Sequence, residues 1–170
     1  GIGSGYTMIN PGFEDPLTGT WHQYANKRTI TVTSAAYEGA QALQIAGTEE
    51  GYVSLWQNLA IGQDEGAPKA GDTVGGGFRI KLDADVSVGD FKMILTASKA
   101  DGTNRAVLAE TRSAAGLAKG EWHYLTTSIV TNNGVIGSDQ EVLSVSIEGG
   151  IRGTIYVDSV SAGKISPYIP

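Results

Sequence analysis

Apolar and polar residues alternate along much of this chain with the period of two that sends successive side chains to opposite faces of an extended strand. In Glu141 to Glu148, Leu143, Val145 and Ile147 fall on one parity, while Val142, Ser144, Ser146 and Glu148 fall on the other. Thr73 to Leu82 does the same, with Phe78, Ile80 and Leu82 opposed to Gly77, Arg79 and Lys81. Nine such runs predict strands near Thr29 to Thr33, Ala42 to Ala46, Tyr52 to Ile61, Thr73 to Leu82, Phe91 to Ser98, Arg105 to Thr111, Glu121 to Thr131, Glu141 to Glu148 and Thr154 to Ala162. Between them lie turn formers: Asp101-Gly102, Asn133-Gly134 and Gly149-Gly150 supply positive-φ positions, and Gln63 to Gly71 reads as a longer loop. The helix-compatible stretch Ser113 to Lys119 is interrupted by Gly116 and reads as a turn.

A strand with one apolar and one polar face belongs in a sheet that is buried on one side and wet on the other. Many such strands must pair or close their edges, as a barrel or as two packed sheets. The alternation favours an all-β, two-sheet antiparallel β-sandwich. Gly75-Gly76-Gly77 has no following Lys-Ser/Thr and opens no helix, so it predicts a bulge or a close backbone approach rather than a phosphate loop.

Composition narrows the function classes. The 170 residues hold 18 acids and 12 bases, a formal charge of −6, with the bases scattered, which argues against a nucleic-acid partner. Cysteine is absent and only His22 and His123 are present, which excludes disulfides, thiolate catalysis and Cys-ligated zinc. No stretch approaches the roughly 20 apolar residues of a membrane span, so membrane insertion is not expected. The chain starts Gly1-Ile2-Gly3-Ser4-Gly5. Residues 1–5 are expected to be a trimmed or linker remnant, 6–165 a single β-sandwich module, and 166–170 a C-terminal tail.

The segment Tyr52 to Ile61 carries the most chemistry. Val53, Leu55 and Leu59 share one parity; Tyr52, Ser54, Trp56 and Asn58 share the other. With the aliphatic set inward, Tyr52 and Trp56 stand on the solvated face about 13 Å apart. Rings flanked by short polar groups suit sugars, whose apolar faces stack while hydroxyls find directional partners. Glu148, on the wet parity of its strand, is a candidate acceptor for hydroxyls, and Arg79 and Lys92 are candidate donors. Trp122 is expected to plug one end of the core. Trp21, beside His22, is read as either a rim contact or a packing anchor. Catalysis has little support: no Gly-x-Ser-x-Gly occurs, and Glu49, Glu50, Asp83, Asp85 and Asp90 all lie at expected turns. No EF-hand loop is present, and Asp83-Ala84-Asp85 reads as a solvated hairpin.

Five segments occur in order: Asn10-Pro11-Gly12-Phe13-Glu14 with Trp21, Tyr37 to Leu43, Trp56-Gln57-Asn58-Leu59, Gly120-Glu121-Trp122, and Tyr156-Val157-Asp158-Ser159-Val160. The series, over residues 8 to 163, resembles carbohydrate-binding modules of the families 4, 9, 16 and 22 type, jelly rolls related to galactose-binding-like domains. The resemblance implies a structural Ca2+ held by Glu14 and Asp158 with backbone oxygens near Gly12 and around Glu38 and Gly39. Ser159 stands where such modules often carry a second Asp. It also implies a groove on the concave sheet that binds a polysaccharide or cell-surface glycan, no catalytic role, and attachment to a larger multidomain, extracellular protein. The alternative is a structural or adhesive module of a phage tail or capsid decoration protein, placed in the virion. A small glycan lyase or hydrolase ranks third.

Overall fold

The computed structural model describes residues 11–60, 71–131 and 141–165. The expected end segments 1–5 and 166–170, the Asn133-Gly134 turn and most of the Gln63 to Gly71 loop lie outside the described residues. Ten strands follow one another: β1 (His22–Ala25), β2 (Thr29–Thr33), β3 (Ala42–Ala60), β4 (Thr73–Leu82), β5 (Ser87–Val88), β6 (Lys92–Ser98), β7 (Ala106–Glu110), β8 (Trp122–Thr126), β9 (Val130–Thr131) and β10 (Val142–Ile165). Every pairing is antiparallel. Among the described residues there is no helix, and so none long and apolar enough to cross a membrane.

Two pairs of expected strands are continuous. Ala42 to Ala46 and Tyr52 to Ile61 join into β3, and Glu141 to Glu148 joins Thr154 to Ala162 as β10. The two long strands pair twice, Val142 to Ile151 against Gly51 to Ala60 and, after a register shift, Gly153 to Val157 against Leu43 to Gly47. The first half of β10 takes β6 on its other side, and the second half takes β4. Each long strand therefore bends out of one layer into the next. The front sheet runs β1-β3-β10-β6-β7, and the back sheet β2-β3-β10-β4-β8, with β9 on β4. This is the expected jelly-roll sandwich, its two layers sharing two strands.

Parity determines the core. Val53, Leu55, Met93, Leu95, Leu143, Val145 and Ile147 face inward from the front sheet, and meet Leu43, Ile45, Phe78, Ile80, Leu125, Ile155 and Val157 from the back in one buried cluster. Burying such a side chain stabilises the fold by about 1.5–3 kcal/mol.

Arg28 fastens the bend. Its Nη1 donates to the carbonyls of Glu49 (2.6 Å) and Ile151 (2.5 Å), and its Nη2 to those of Gly47 (2.8 Å) and Gly153 (2.5 Å). These carbonyls lie where β3 and β10 leave one sheet for the other. A charged fork with several fixed donors can serve four acceptors where the ladder bends. The close-approach reading of the glycine run also holds: a Cβ on Gly76 would come within 2.8 Å of the Ser161 carbonyl oxygen, and one on Gly77 within 2.8 Å of that of Leu125.

Candidate functional site

The outward residues of the front sheet lie in rows across its strands. His22, Trp56, Ser146, Ile94 and Glu110 form one row; Tyr24, Ser54, Glu148 and Lys92 form the next; Asn58, Ser144, Thr96 and Val107 lie on the other side. A cleft of about 300 Å³ opens on this face, bordered by Trp56 and by the turn that joins β6 to β7. Its floor is Ser54, Asn58, Ser144, Ser146 and Thr96, short polar side chains with few methylene groups to fill the space.

Trp56 is half-buried, its indole stacked on the His22 imidazole with ring centroids 5.3 Å apart and planes 21° from parallel. That contact fixes the attitude of the indole beside the polar floor. Tyr52 extends the aromatic strip, its ring 6.4 Å from that of Tyr24. The Tyr52 hydroxyl donates to Glu148 Oε2. Burial, and then the bond and charge of Glu148, push the phenol well above its ordinary range, so Tyr52 keeps its proton and Glu148 remains the acceptor of the pair.

Of the seven residues expected to bind ligand, Trp56, Asn58 and Glu148 line the cleft, and Tyr52 adjoins it through Glu148. Lys92 shares the face but not the lining, since its ammonium is held by Glu110 (3.2 Å) and Asp90 (3.5 Å), with Glu110 raising its pKa. Of the two readings of Trp21 the packing anchor holds and the ligand contact is corrected, and Arg79 is corrected as well. Trp21 is 4% exposed and packs on Phe13 with centroids 5.6 Å apart, because it precedes outward-facing His22 and so turns inward. Arg79 stands on the back sheet, its guanidinium carbon 4.1 Å from the Tyr124 ring centroid and 4.5 Å from that of Tyr37. Trp122, expected in the core, also lies on the back face and packs on Tyr37 at 5.7 Å. Sequence reasoning missed β1, whose His22 and Tyr24 complete the aromatic strip; its four residues are all exposed and carry no apolar alternation to mark a strand.

The second concavity, about 480 Å³, lies at the back and brings together Gly12, Glu14, Glu38, Gly39 and Asp158, the five residues that the resemblance implied for calcium. Asp158 is fully buried: its Oδ2 accepts from the Tyr37 and Glu38 amides (both 3.0 Å) and its Oδ1 from the Ser159 amide (2.8 Å). Burial pushes its carboxyl above the usual carboxylate range, against the three amides that hold it down. Glu14 Oε1 accepts from the Ala40 amide (2.8 Å), and a Cβ on Gly39, which has a φ of 66°, would strike that carboxylate. The Ser159 hydroxyl donates to Glu38 Oε1 at 3.0 Å. Hard oxygen donors, one of them a buried carboxylate, suit a calcium ion in their chemistry. As the side chains stand, backbone amides bond Asp158 and Glu14 and the Ser159 hydroxyl bonds Glu38, and among the described residues no three acids gather closely enough to hold a metal.

Solved structures share the fold at low sequence identity. TmCBM61 in complex with β-1,4-galactotriose is 19% identical, with 95% of this chain and 99% of that chain covered and a TM-score of 0.60. The CBM22-1-GH10 modules of Clostridium thermocellum Xyn10B complexed with xylohexaose are 12% identical over 98% of this chain, which spans 30% of that one, with a TM-score of 0.61. A Stig cyclase from Fischerella sp. TAU is 15% identical over 99% of this chain and 100% of that one, with a TM-score of 0.71. No curated protein matches the sequence. Residues 5–153 match the Carbohydrate binding domain family (CBM_4_9), and the chain belongs to that family.

Proposed function

We propose that the front-sheet cleft binds a polysaccharide or cell-surface glycan without transforming it, and that the module holds an attached, extracellular protein against that polymer. One observation carries the reading: the Trp56 ring is fixed by His22 beside a trough of hydroxyl and amide groups, with Glu148 at one margin. A pyranose can place its apolar face on such a ring and its hydroxyls over such a floor. The TmCBM61 and Xyn10B structures were solved with galactan- and xylan-type oligosaccharides, which makes β-1,4-linked galactan and xylan the first polymers to try.

A hydrolytic role is disfavoured by the same geometry. Glycoside hydrolysis ordinarily needs two carboxyl groups about 5–9.5 Å apart across the bond. Among the described residues Glu148 is the one acid that lines the cleft, and it is engaged by Tyr52. Neither histidine is poised as a base there: His22 stacks on Trp56, and His123 Nε2 is 2.7 Å from the Ala118 carbonyl oxygen. The adhesive alternative predicts no glycan-selective cleft, and family membership favours the glycan reading over it.

A structural calcium tying the Glu14 segment to Asp158 of β10 belongs to the same proposal. Asp158 is buried, and Glu14, Glu38 and Gly39 line the same concavity, which supports this. Affinity electrophoresis through gels carrying xylan, β-1,4-galactan or neither tests the central reading. Retardation by at least one polymer is expected, and equal mobility in every gel across a wider panel of neutral and acidic polysaccharides would refute it.

A further inference from the structure

The charge of the cleft runs opposite to that of the chain. The whole sequence carries −6, yet the cleft is lined by two cations, Lys99 and Arg105, and by one acid, Glu148, at its other margin. Glu148 already accepts the Tyr52 hydroxyl. Both cations are exposed and belong to the turn between β6 and β7, and among the described residues neither has a carboxylate within ion-pair distance.

The nearby acids are occupied elsewhere. Asp101 Oδ1 accepts from the Thr103 hydroxyl (2.6 Å) and amide (2.9 Å), bonds that hold its carboxyl below the usual range, with Lys99 a lesser contributor. Glu141 Oε2 accepts from the Ala100 amide at 3.3 Å. The turn is itself closed by backbone bonds, Lys99 N to Thr103 O and Gly102 N to Lys99 O, each 2.9 Å. A short, internally bonded turn presents its cations with little backbone freedom left to lose on binding.

We propose that the cleft selects saccharides bearing an anionic substituent, which Lys99 and Arg105 hold at the end bordered by the β6–β7 turn. The proposal rests on the glycan reading of this cleft and names the class of glycan. The arginine fork matches a carboxylate or a sulfate ester with two parallel N–H bonds, while lysine adds a point charge. Long-range attraction is not the source, because the net negative chain repels an anionic polymer and salt screens charge beyond about 10 Å at roughly 0.1 M. The preference is local to the cleft.

Calorimetric titration with two polymer pairs tests it: glucuronoxylan against its carboxyl-reduced form, and a sulfated galactan against its desulfated form. For at least one pair the anionic polymer is expected to bind about tenfold more tightly than its neutral counterpart, the scale of one charge-assisted bond. Which pair shows the gap identifies carboxylate or sulfate as the anion. In the Lys99→Gln/Arg105→Gln double variant the ratio is expected to fall to about one. Equal binding within both pairs, or a gap that survives in the double variant, overturns the proposal and leaves the glycan reading standing. Absence of binding to all four polymers also overturns the proposal, while the glycan reading falls only if the wider polysaccharide panel fails as well.

Discussion

The outer faces of the two sheets carry similar side chains and do opposite things with them. The front face sets Trp56, Tyr52, Tyr24 and His22 on β1 and β3, beside a floor of serine, threonine and asparagine. The back face sets Tyr37, Trp122, Tyr124 and Tyr156 around Arg79 and Lys81, whose charges lie over tyrosine rings. On the back, cations of the same chain already use the rings, and the adjoining concavity is lined by Glu14, Glu38 and Asp158 together with Arg79 and Tyr124. On the front, the rings contact one another and the neighbouring residues are short, so a trough remains for something from outside. An aromatic-rich surface is thus a poor guide to a ligand site; what lies over and beside the rings decides.

That contrast can be broken in several places. The largest effect is expected from Trp21→Ala, about 4 kcal/mol lost in urea unfolding because a buried ring leaves a cavity against Phe13. A loss under about 1 kcal/mol, the scale of a surface change, would return Trp21 to the rim of the front face. Arg28→Met comes next, at about 3 kcal/mol, since four carbonyls at the bends lose their donors and the two faces lose their common fastening. A near-neutral Arg28→Met would mean that the long strands bend without the guanidinium.

Calcium tests the back face alone. At about 100-fold excess over its dissociation constant, an ion bound only by the folded chain adds about 2.7 kcal/mol, read as a rise in Tm that EDTA reverses and Glu14→Gln abolishes. A Tm that neither calcium nor chelation moves would show that the amides around Asp158 complete that site unaided. The smallest effect belongs to Arg79→Ala. Uncovering Tyr37 and Tyr124 is expected to cost about 1 kcal/mol of stability. Glycan affinity should stay at the wild-type value, and a variant that loses affinity would move the site to the back sheet.

Much of the fold was legible because alternation is a local property: β2 and β4 fall where the sequence places them, and the apolar parity of the strands is the core. Two features were not. Gly149-Gly150 reads as a turn and residues 47–51 as a gap between two strands, whereas in the structure both lie on strands that continue while changing sheets, and tertiary pairing alone distinguishes a bend from a turn. β1 has four exposed residues and no β-branched side chain, so its strand character comes from pairing with β3 at the edge. The site divides the same way. Parity put Trp56, Asn58 and Glu148 on a wet face and was right about Arg79 as well, but a sandwich has two wet faces, and the period of two does not say which sheet a strand has joined. Lys99 and Arg105 come to the cleft through the register of β6 with β10, which no local pattern records.

The central claim, that the front cleft and not the back face takes the glycan, is tested most directly by titrating one binding polysaccharide into the wild type, Trp56→Ala and Tyr124→Ala. Loss of a stacking ring of this size is expected to weaken binding about 100-fold in Trp56→Ala, while Tyr124→Ala binds as the wild type does. Wild-type affinity in Trp56→Ala, or its loss in Tyr124→Ala, would contradict the account.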